Sequence, residues 1–280
     1  CGKAMFDSDG TLIKMVGSHS DVTESKSLKE KIYKLAYYDT LTGLRNRTFI
    51  IENLQKLLDY KKKHDGKIAL FYLDLDNFKS VNDTLGHTEG NKFLRKIGNL
   101  LKKSVGKKYT VARIGGDEFI ILKGIQKDEE IKAAAENILR LFQEHFVLKK
   151  IEFYITASIG ITVYPDDGVN AQLLMRNADT AMYIAKQQGK NTYRFYTHNM
   201  QAKIINKLEM YRSLRHAVER GEIIVHYQPQ VELKRNKVVC VEALARWQNP
   251  EKGLILPNVF IPLAEETGLI ESIGKYVLNI

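Results

Sequence analysis

The sequence lacks most of the features that would indicate a disulfide scaffold, a thiolate metal site or a membrane span. Its 280 residues include only two cysteines, Cys1 and Cys240, which form neither a disulfide framework nor a metal-ligand spacing. The longest apolar run, residues 68–73, is far shorter than the roughly 20 residues of a transmembrane helix. No signal peptide is recognisable. We therefore expect a cytoplasmic chain without a membrane segment. Because it begins with cysteine, we expect a piece of a longer protein, and a membrane anchor in that parent stays open.

The sequence also has no acidic excess, since its net charge is +10. A basic chain could bind nucleic acid, anionic lipid or nucleotide phosphates. The two lysine runs, 61–63 and 102–103, have the pattern of solvated helix faces, and no aromatic residues alternate with them to form a stacking surface. We therefore expect no nucleic-acid partner.

Helical and extended patterns alternate along the middle of the chain, which favours an α+β fold with a sheet on one side and helices on the other. The length suits about two ordinary domains. The periodicity predicts helices over residues 25–38, 49–63, 89–104, 128–146 and 171–188, and strands over 68–75, 109–114, 118–122, 153–163 and 193–195.

Two acidic residues, Asp74 and Asp76, follow the apolar strand that begins at residue 68. Alternation along a strand places both on one face. Carboxylates at a strand end can hold Mg²⁺, which accepts one or two of them together with phosphate oxygens. From this pair alone, a simple cap on the following turn is equally reasonable.

A second acidic pair, Asp117 and Glu118, adjoins the Gly115-Gly116 hairpin signal. Two glycines permit positive φ and remove side-chain bulk, so a triphosphate could approach the backbone closely. One acid could share a metal with Asp74, and the other could help deprotonate a hydroxyl. A lone Gly-Gly-Asp sequence would be weak evidence, but the combination with Asp74 is strong.

The middle of the chain, residues 39–197, resembles the GGDEF diguanylate cyclases over some 160 residues. The matching blocks occur in order: Asp39-Thr-Leu-Thr-Gly-Leu-Arg-Asn-Arg47, Leu73-Asp-Leu-Asp-Asn-Phe-Lys79, Val81-Asn-Asp-Thr-Leu-Gly-His87, Arg113-Ile-Gly-Gly-Asp-Glu-Phe119, Ala157-Ser-Ile-Gly-Ile161 and Ala178-Asp-Thr-Ala-Met-Tyr183. The resemblance implies a nucleotidyl-cyclase-like sheet with helices, a ferredoxin-like palm. It also implies a homodimer that condenses two GTP into cyclic di-GMP and pyrophosphate, using two Mg²⁺ or Mn²⁺ ions per site.

The resemblance assigns each site residue a role. Metal ligands would be Asp74, the Leu75 carbonyl and Asp117; catalytic residues would be Asp117, Glu118, Lys79 and Arg113; substrate contacts would come from Phe78, Asn82, Asn91, Gly115, Gly116, Lys186 and Lys190. In this scheme Asn82 contacts guanine, Glu118 helps to activate the 3′-hydroxyl, and the two lysines clasp terminal phosphates from one helix face.

Two positions depart from the family pattern. The family usually has aspartate where this chain has Asn91, so guanine reading loses a charge and an acceptor oxygen. The Arg-x-x-Asp product site of the family aligns with Gly106 and Tyr109. We therefore expect no feedback inhibition through that site.

The flanks resemble parts of two further families. Residues 1–24 are similar to the end of a PAS sensor domain, followed by a signalling helix at 25–38 in which Leu28, Ile32 and Leu35 have coiled-coil spacing. By length alone, an ordinary amphipathic helix is the commoner alternative. After a linker helix, residues 198–280 resemble the start of an EAL phosphodiesterase barrel, with Gln228 near substrate and Glu242 as one metal ligand. We expect this part to be inactive.

The sequence therefore predicts a diguanylate cyclase regulated by the upstream PAS domain. One alternative is a catalytically weak GGDEF domain that binds GTP and regulates an adjacent EAL phosphodiesterase. A second is a phosphodiesterase in which the GGDEF domain is a scaffold.

Overall fold

The computed structural model describes residues 2–17, 21, 23–64, 66–106, 109–143 and 145–280. Within it the chain divides into two units, Cys1–Thr197 and His198–Ile280. Among the described residues, no helix is both long and apolar enough to cross a membrane.

The first unit begins with a short antiparallel hairpin and a helix. Strands β1 (Gly2–Phe6) and β2 (Leu12–Gly17) pair across a turn at Asp9-Gly10, and helix α1 (Thr23–Tyr37) follows. The predicted Leu28, Ile32 and Leu35 are all exposed on α1. The predicted PAS segment also includes residues 1, 18–20 and 22, which lie outside the described residues.

A five-stranded sheet with five surrounding helices follows. The elements in chain order are α2 (Arg47–Lys61), β3 (Lys67–Asp76), α3 (Phe78–Leu85), α4 (His87–Val105), β4 (Tyr109–Gly115), β5 (Glu118–Ile125), α5 (Glu129–Arg140), the small hairpin β6 (Phe146–Leu148) and β7 (Ile151–Phe153), β8 (Thr156–Tyr164), α6 (Ala171–Gln187) and β9 (Tyr193–Phe195). The strand order is β4-β5-β3-β8-β9, in which only the β8–β9 pair is parallel.

Helices cover both faces of this sheet, which corrects the one-sided arrangement predicted above. Helices α3, α4 and α5 pack against one face in a core around Phe71, Phe93 and Phe119. Helices α2 and α6 pack against the other face around Leu54, Leu70 and Met182. The reason lies in β3, whose residues are buried on both faces from Ile68 onward, as strands between two helical layers are.

The structure also corrects two predicted elements and adds one. The helix predicted over 128–146 ends at Arg140, and Phe146 starts a strand. The strand predicted over 153–163 is divided between β7 and β8. The eight-residue α3 was not predicted; it starts directly after Asn77, whose left-handed backbone (φ 61°) turns the chain out of β3.

The second unit contains a long helix, a three-stranded sheet and two shorter helices. Its elements are α7 (Asn199–Arg215), β10 (Ile223–Glu232), β11 (Lys237–Asn249), β12 (Gly253–Ile255), α8 (Pro257–Thr267) and α9 (Ile270–Leu278). Its core surrounds Trp247, which donates a hydrogen bond from Nε1 to Glu222 Oε2 at 2.9 Å. Gln228 and Glu242 are direct cross-strand partners in the β10–β11 pair, so the structure brings together the two residues singled out for an EAL site.

Candidate active site

The candidate site lies where β3 ends beside the β4–β5 hairpin. Asp74 is paired with Glu118 of β5 on one side and with Ser158 of β8 on the other. The Leu75 amide donates a hydrogen bond to the Asp117 carbonyl at 3.3 Å, so the hairpin tip is held against the strand end. The register of the sheet therefore brings the pair Asp74 and Leu75 together with the pair Asp117 and Glu118, although the two pairs are over 40 residues apart in sequence.

Asp74 is a buried carboxylate whose ionised form is disfavoured by burial and favoured by a neighbouring lysine. Burial raises its pKa to about 6; the ammonium of Lys186 opposes the rise and the charge of Asp117 adds to it. Lys186 Nζ lies 2.6 Å from Asp74 Oδ1, but off the direction of a hydrogen bond. Oδ1 is therefore a buried side-chain oxygen that, within the described parts of the chain, has an ionic partner but no directional one. Such an oxygen suits a cation ligand.

Asp76 has a different role from Asp74, although both project from the same face of β3. Asp76 accepts hydrogen bonds from the hydroxyls of Thr156 and Ser158, each at 2.7 Å, and from the Asn191 amide at 3.0 Å. The carboxylate thus joins β8 and the segment after α6 to the central strand. This buried network assigns Asp76 to positioning, which sequence reasoning did not detect.

Two lysines extend the site from the α6 side. Lys186 belongs to the last turn of α6, but the helix ends at Gln187, and Lys190 lies in the following loop with φ 61°. The prediction that both lysines share one helix face is therefore wrong. Both still contact the end of β3 or the residue after it, because Lys190 Nζ donates a 2.7 Å hydrogen bond to Asn77 Oδ1, three residues after Asp74. The site thus holds two cations beside its carboxylates.

Arg113 holds the glycine tip of the β4–β5 hairpin in place through hydrogen bonds. Its guanidinium donates from Nε and Nη2 to the Gly116 carbonyl at 3.0 and 2.7 Å, and from Nη1 to Asp39 Oδ2 at 2.9 Å. Gly116 has φ 48°, which favours glycine. We predicted Arg113 among the catalytic residues. The contacts instead assign it to holding the tip, since its guanidinium is committed to protein acceptors.

Glu118 is held in place by a buried residue of β3, Tyr72. The Tyr72 hydroxyl donates a hydrogen bond to Glu118 Oε2 at 3.1 Å. Burial and then the charge of Glu118 raise the pKa of Tyr72, so the phenol is a proton donor at neutral pH. No motif in the sequence pointed to Tyr72, because its partner comes from a different strand.

The residues predicted to read guanine lie where α3 and α4 meet. Gly90 lets the helices approach, since a Cβ there would overlap Asn82 Oδ1, and Asn91 is the next, exposed residue. The Phe78 side chain is buried against Phe93, with ring centroids 6.0 Å apart, so only its backbone could face a ligand. Lys79, one residue on, is exposed at the start of α3.

The donor set suits a hard divalent cation. The described residues contain no group of three or more His, Cys, Asp or Glu side chains arranged for a metal ion. Mg²⁺ needs no such cage, because it is commonly bound by one or two carboxylates together with substrate phosphates. Asp74, whose buried Oδ1 accepts no directional hydrogen bond, Asp117 and the Leu75 carbonyl match that requirement.

Comparison with known proteins identifies the family of this chain. The model of the diguanylate cyclase GGDEF domain matches residues 36–192. The chain belongs to the GGDEF family. The EAL domain model matches residues 211–280, so the GGDEF domain is followed by part of an EAL domain.

The relatives of this GGDEF–EAL chain are longer proteins. It is 39% identical over 249 residues to the bifunctional diguanylate cyclase/cyclic di-GMP phosphodiesterase MucR of Pseudomonas aeruginosa, covering 89% of this chain and 36% of MucR. It is 38% identical over 268 residues to the cyclic di-GMP phosphodiesterase PdeR of Escherichia coli, covering 95% of this chain and 40% of PdeR. The chain thus spans well under half the length of these relatives.

Solved GGDEF domains share the fold of the first unit. The isolated GGDEF domain of TpbB (YfiN) from Pseudomonas aeruginosa is 32% identical with a TM-score of 0.58, covering 60% of this chain and 99% of that one. A sensory box/GGDEF family protein from Caulobacter crescentus is 35% identical with a TM-score of 0.52, covering 55% of this chain and all of that one. The predicted mixed α+β, cyclase-like fold is therefore confirmed for this part of the chain.

Proposed function

We propose that the GGDEF domain is a diguanylate cyclase that converts two GTP into cyclic di-GMP and two pyrophosphates. The observation that supports this most is the buried Asp74, with Lys186 beside it and Asp117 and Glu118 at an open glycine hairpin. Acidic and basic side chains lie there beside the two glycines. The space next to Gly115 and Gly116 is open, since a Cβ added at either position would meet no atom within 4 Å. That combination suits a polyphosphate.

Each side chain has a task in this mechanism. Asp74, Asp117 and the Leu75 carbonyl would hold Mg²⁺, which stabilises charge on the reacting phosphate when bound. Lys186 and Lys190 bind the β- and γ-phosphates, and backbone amides at the glycine tip approach them. The positions of these groups orient the α-phosphate for attack, and phosphoryl transfer depends mainly on such positioning and charge.

The reaction requires two GGDEF domains that face each other, each with one bound GTP. The 3′-oxygen of one GTP forms a bond to the α-phosphorus of the other, and the bond from that phosphorus to the pyrophosphate breaks. Glu118 accepts the proton of the 3′-hydroxyl. The same step in the opposite direction closes the ring. Because each domain holds one GTP, the domain works as a homodimer.

A second function has support from two observations. Asn91 removes a charged acceptor from the guanine-reading position, and PdeR and NbdA, which resemble this chain, are both named phosphodiesterases. In this alternative the GGDEF domain binds GTP without turnover and regulates an EAL domain in the whole protein.

Product analysis separates the two functions. The chain is incubated with GTP and Mg²⁺, and the products are resolved by anion-exchange chromatography. We expect cyclic di-GMP and pyrophosphate from the wild type and none from Asp117→Ala. The matched control is Asp166→Ala, which removes an exposed acid whose partner is Lys67, at 3.2 Å. Binding of GTP without product would favour the regulatory function, and full activity of Asp117→Ala would contradict the site.

A further inference from the structure

Tyr72 is a buried polar group for which the roles assigned above give no function. It lies on β3 two residues before Asp74 and is only 7% exposed within the apolar cluster beneath α2 and α6. A phenol hydroxyl buried in apolar surroundings is unfavourable unless it has a hydrogen-bond partner. Its partner is Glu118 Oε2, 3.1 Å away. A phenylalanine would fill the same space, so the hydroxyl serves the carboxylate rather than the packing.

The sheet register explains why Glu118 needs such a partner. Glu118 opens β5 directly opposite Asp74, and like charges on directly opposed residues repel. Tyr72 is opposite Ile120, so it lies diagonally from Glu118 on the same face of the sheet. Its hydroxyl anchors one carboxylate oxygen at this diagonal position and leaves Oε1 to accept a proton. A glutamate side chain is otherwise free to occupy several rotamers.

We propose that Tyr72 is a positioning residue for the cyclase reaction and acts through Glu118. It fixes the carboxylate in the orientation from which Oε1 receives the 3′-hydroxyl proton. This inference rests on the proposed function, since it assigns Tyr72 to the same site. It adds a residue that contacts neither the nucleotide phosphates nor the cation ligands.

The kinetic test compares Tyr72→Phe with Tyr164→Phe. Tyr164 is also 7% exposed and belongs to the same cluster, but it pairs with Ile68 at the opposite end of β3. We expect kcat of Tyr72→Phe to fall roughly 10-fold, which is less than the roughly 100-fold or greater loss of a whole acid–base group, because Glu118 itself is retained. The KM for GTP should stay within about twofold, because phosphate and base contacts are retained. Tyr164→Phe should match the wild type.

A double-mutant cycle tests whether the effect passes through Glu118. Adding Tyr72→Phe to Glu118→Gln should lower kcat no further, since the carboxylate that the phenol positions is already absent. Independent, additive losses would overturn the proposal. An unchanged kcat in Tyr72→Phe, or equal losses in Tyr72→Phe and Tyr164→Phe, would also overturn it.

A spectroscopic readout separates this inference from the proposed function. The protein is labelled with 3-fluorotyrosine, and the Tyr72 resonance is assigned by its loss in Tyr72→Phe. We expect that ¹⁹F resonance to shift in Glu118→Gln, whether or not the protein turns over GTP. An unmoved resonance in an active cyclase would refute the contact alone. A shifted resonance in a protein that makes no product would refute the proposed function, and with it the positioning role, while the contact stood.

Discussion

Asp74 makes the metal-free domain less stable than it would be with a neutral residue there. Its pKa of about 6 lies about 2 above the ordinary value of 3.8. At about 1.4 kcal/mol per unit, keeping Asp74 ionised in the folded protein costs about 3 kcal/mol. We therefore predict that Asp74→Asn, which resembles the protonated carboxyl, stabilises the protein while abolishing cyclic di-GMP synthesis.

The sign of the pH dependence follows from the direction of the shift. Since the folded state binds the proton more tightly, the free energy of unfolding of the wild type falls as pH rises from about 4 through 6. The asparagine variant has no such group. Its advantage should grow from about 2 kcal/mol at pH 5 to about 3 kcal/mol at pH 8. At pH 8 this corresponds to a rise in Tm of roughly 6–12 °C.

Urea unfolding in EDTA at pH 5, 6.5 and 8 measures this difference. Far-ultraviolet circular dichroism follows the whole chain. Trp247, the only tryptophan in the sequence, belongs to the second unit, so its fluorescence gives an internal reference for that unit. Adding Mg²⁺ should narrow the difference, because a ligand that binds only the native wild type stabilises it. A difference that is constant with pH, or a less stable variant at pH 8, would refute the reasoning.

Three further predictions concern the ligand. Gly115→Ala should leave stability within about 0.5 kcal/mol, because its Cβ meets no protein atom, yet lower GTP turnover by obstructing the hairpin tip; unchanged kinetics would show that the tip does not contact substrate. Cyclic di-GMP should not inhibit through the usual product site, because Gly106 and Tyr109 supply no bidentate arginine and no acidic partner; a tight calorimetric isotherm that depends on either residue would contradict this. Asn91→Asp should increase the preference for GTP over ATP in competition assays, since a carboxylate accepts from both guanine donors; a changed affinity with unchanged preference would show that Asn91 only weakens binding.

Local chemistry was readable from the sequence wherever a residue's role depends on its immediate neighbours. The apolar run before Asp74 and the Gly115-Gly116 signal pointed to a strand end and a hairpin, and the structure places them side by side. The same run, unbroken by polar residues from 68 to 73, also carried the information that β3 is covered on both faces. The one-sided sheet was a misreading of that pattern.

Roles that depend on partners from distant segments were not readable. Arg113 looked catalytic from its place in the motif, but Asp39, 74 residues earlier, and the Gly116 carbonyl hold its guanidinium. Lys186 and Lys190 have helical spacing, yet the helix ends between them; Lys186 contacts Asp74 within β3, and Lys190 contacts Asn77 just after it. Helix ends and loop paths are set by tertiary contacts, which spacing alone does not contain.

By itself, the sequence determined the family, most of the helices and strands and the residue types that could bind a polyphosphate and a divalent cation. The tertiary structure alone decided which of those residues face the site and which support it. Asp74 and Asp76 share a strand face, but the buried Oδ1 of Asp74 has the ammonium of Lys186 as an ionic partner and accepts no directional hydrogen bond, while Asp76 accepts hydrogen bonds from three donors. The pairing of Tyr72 with Glu118 likewise depends on the β3–β5 register. Register is a property of two strands together, and a slip of one residue would turn every side chain to the other face.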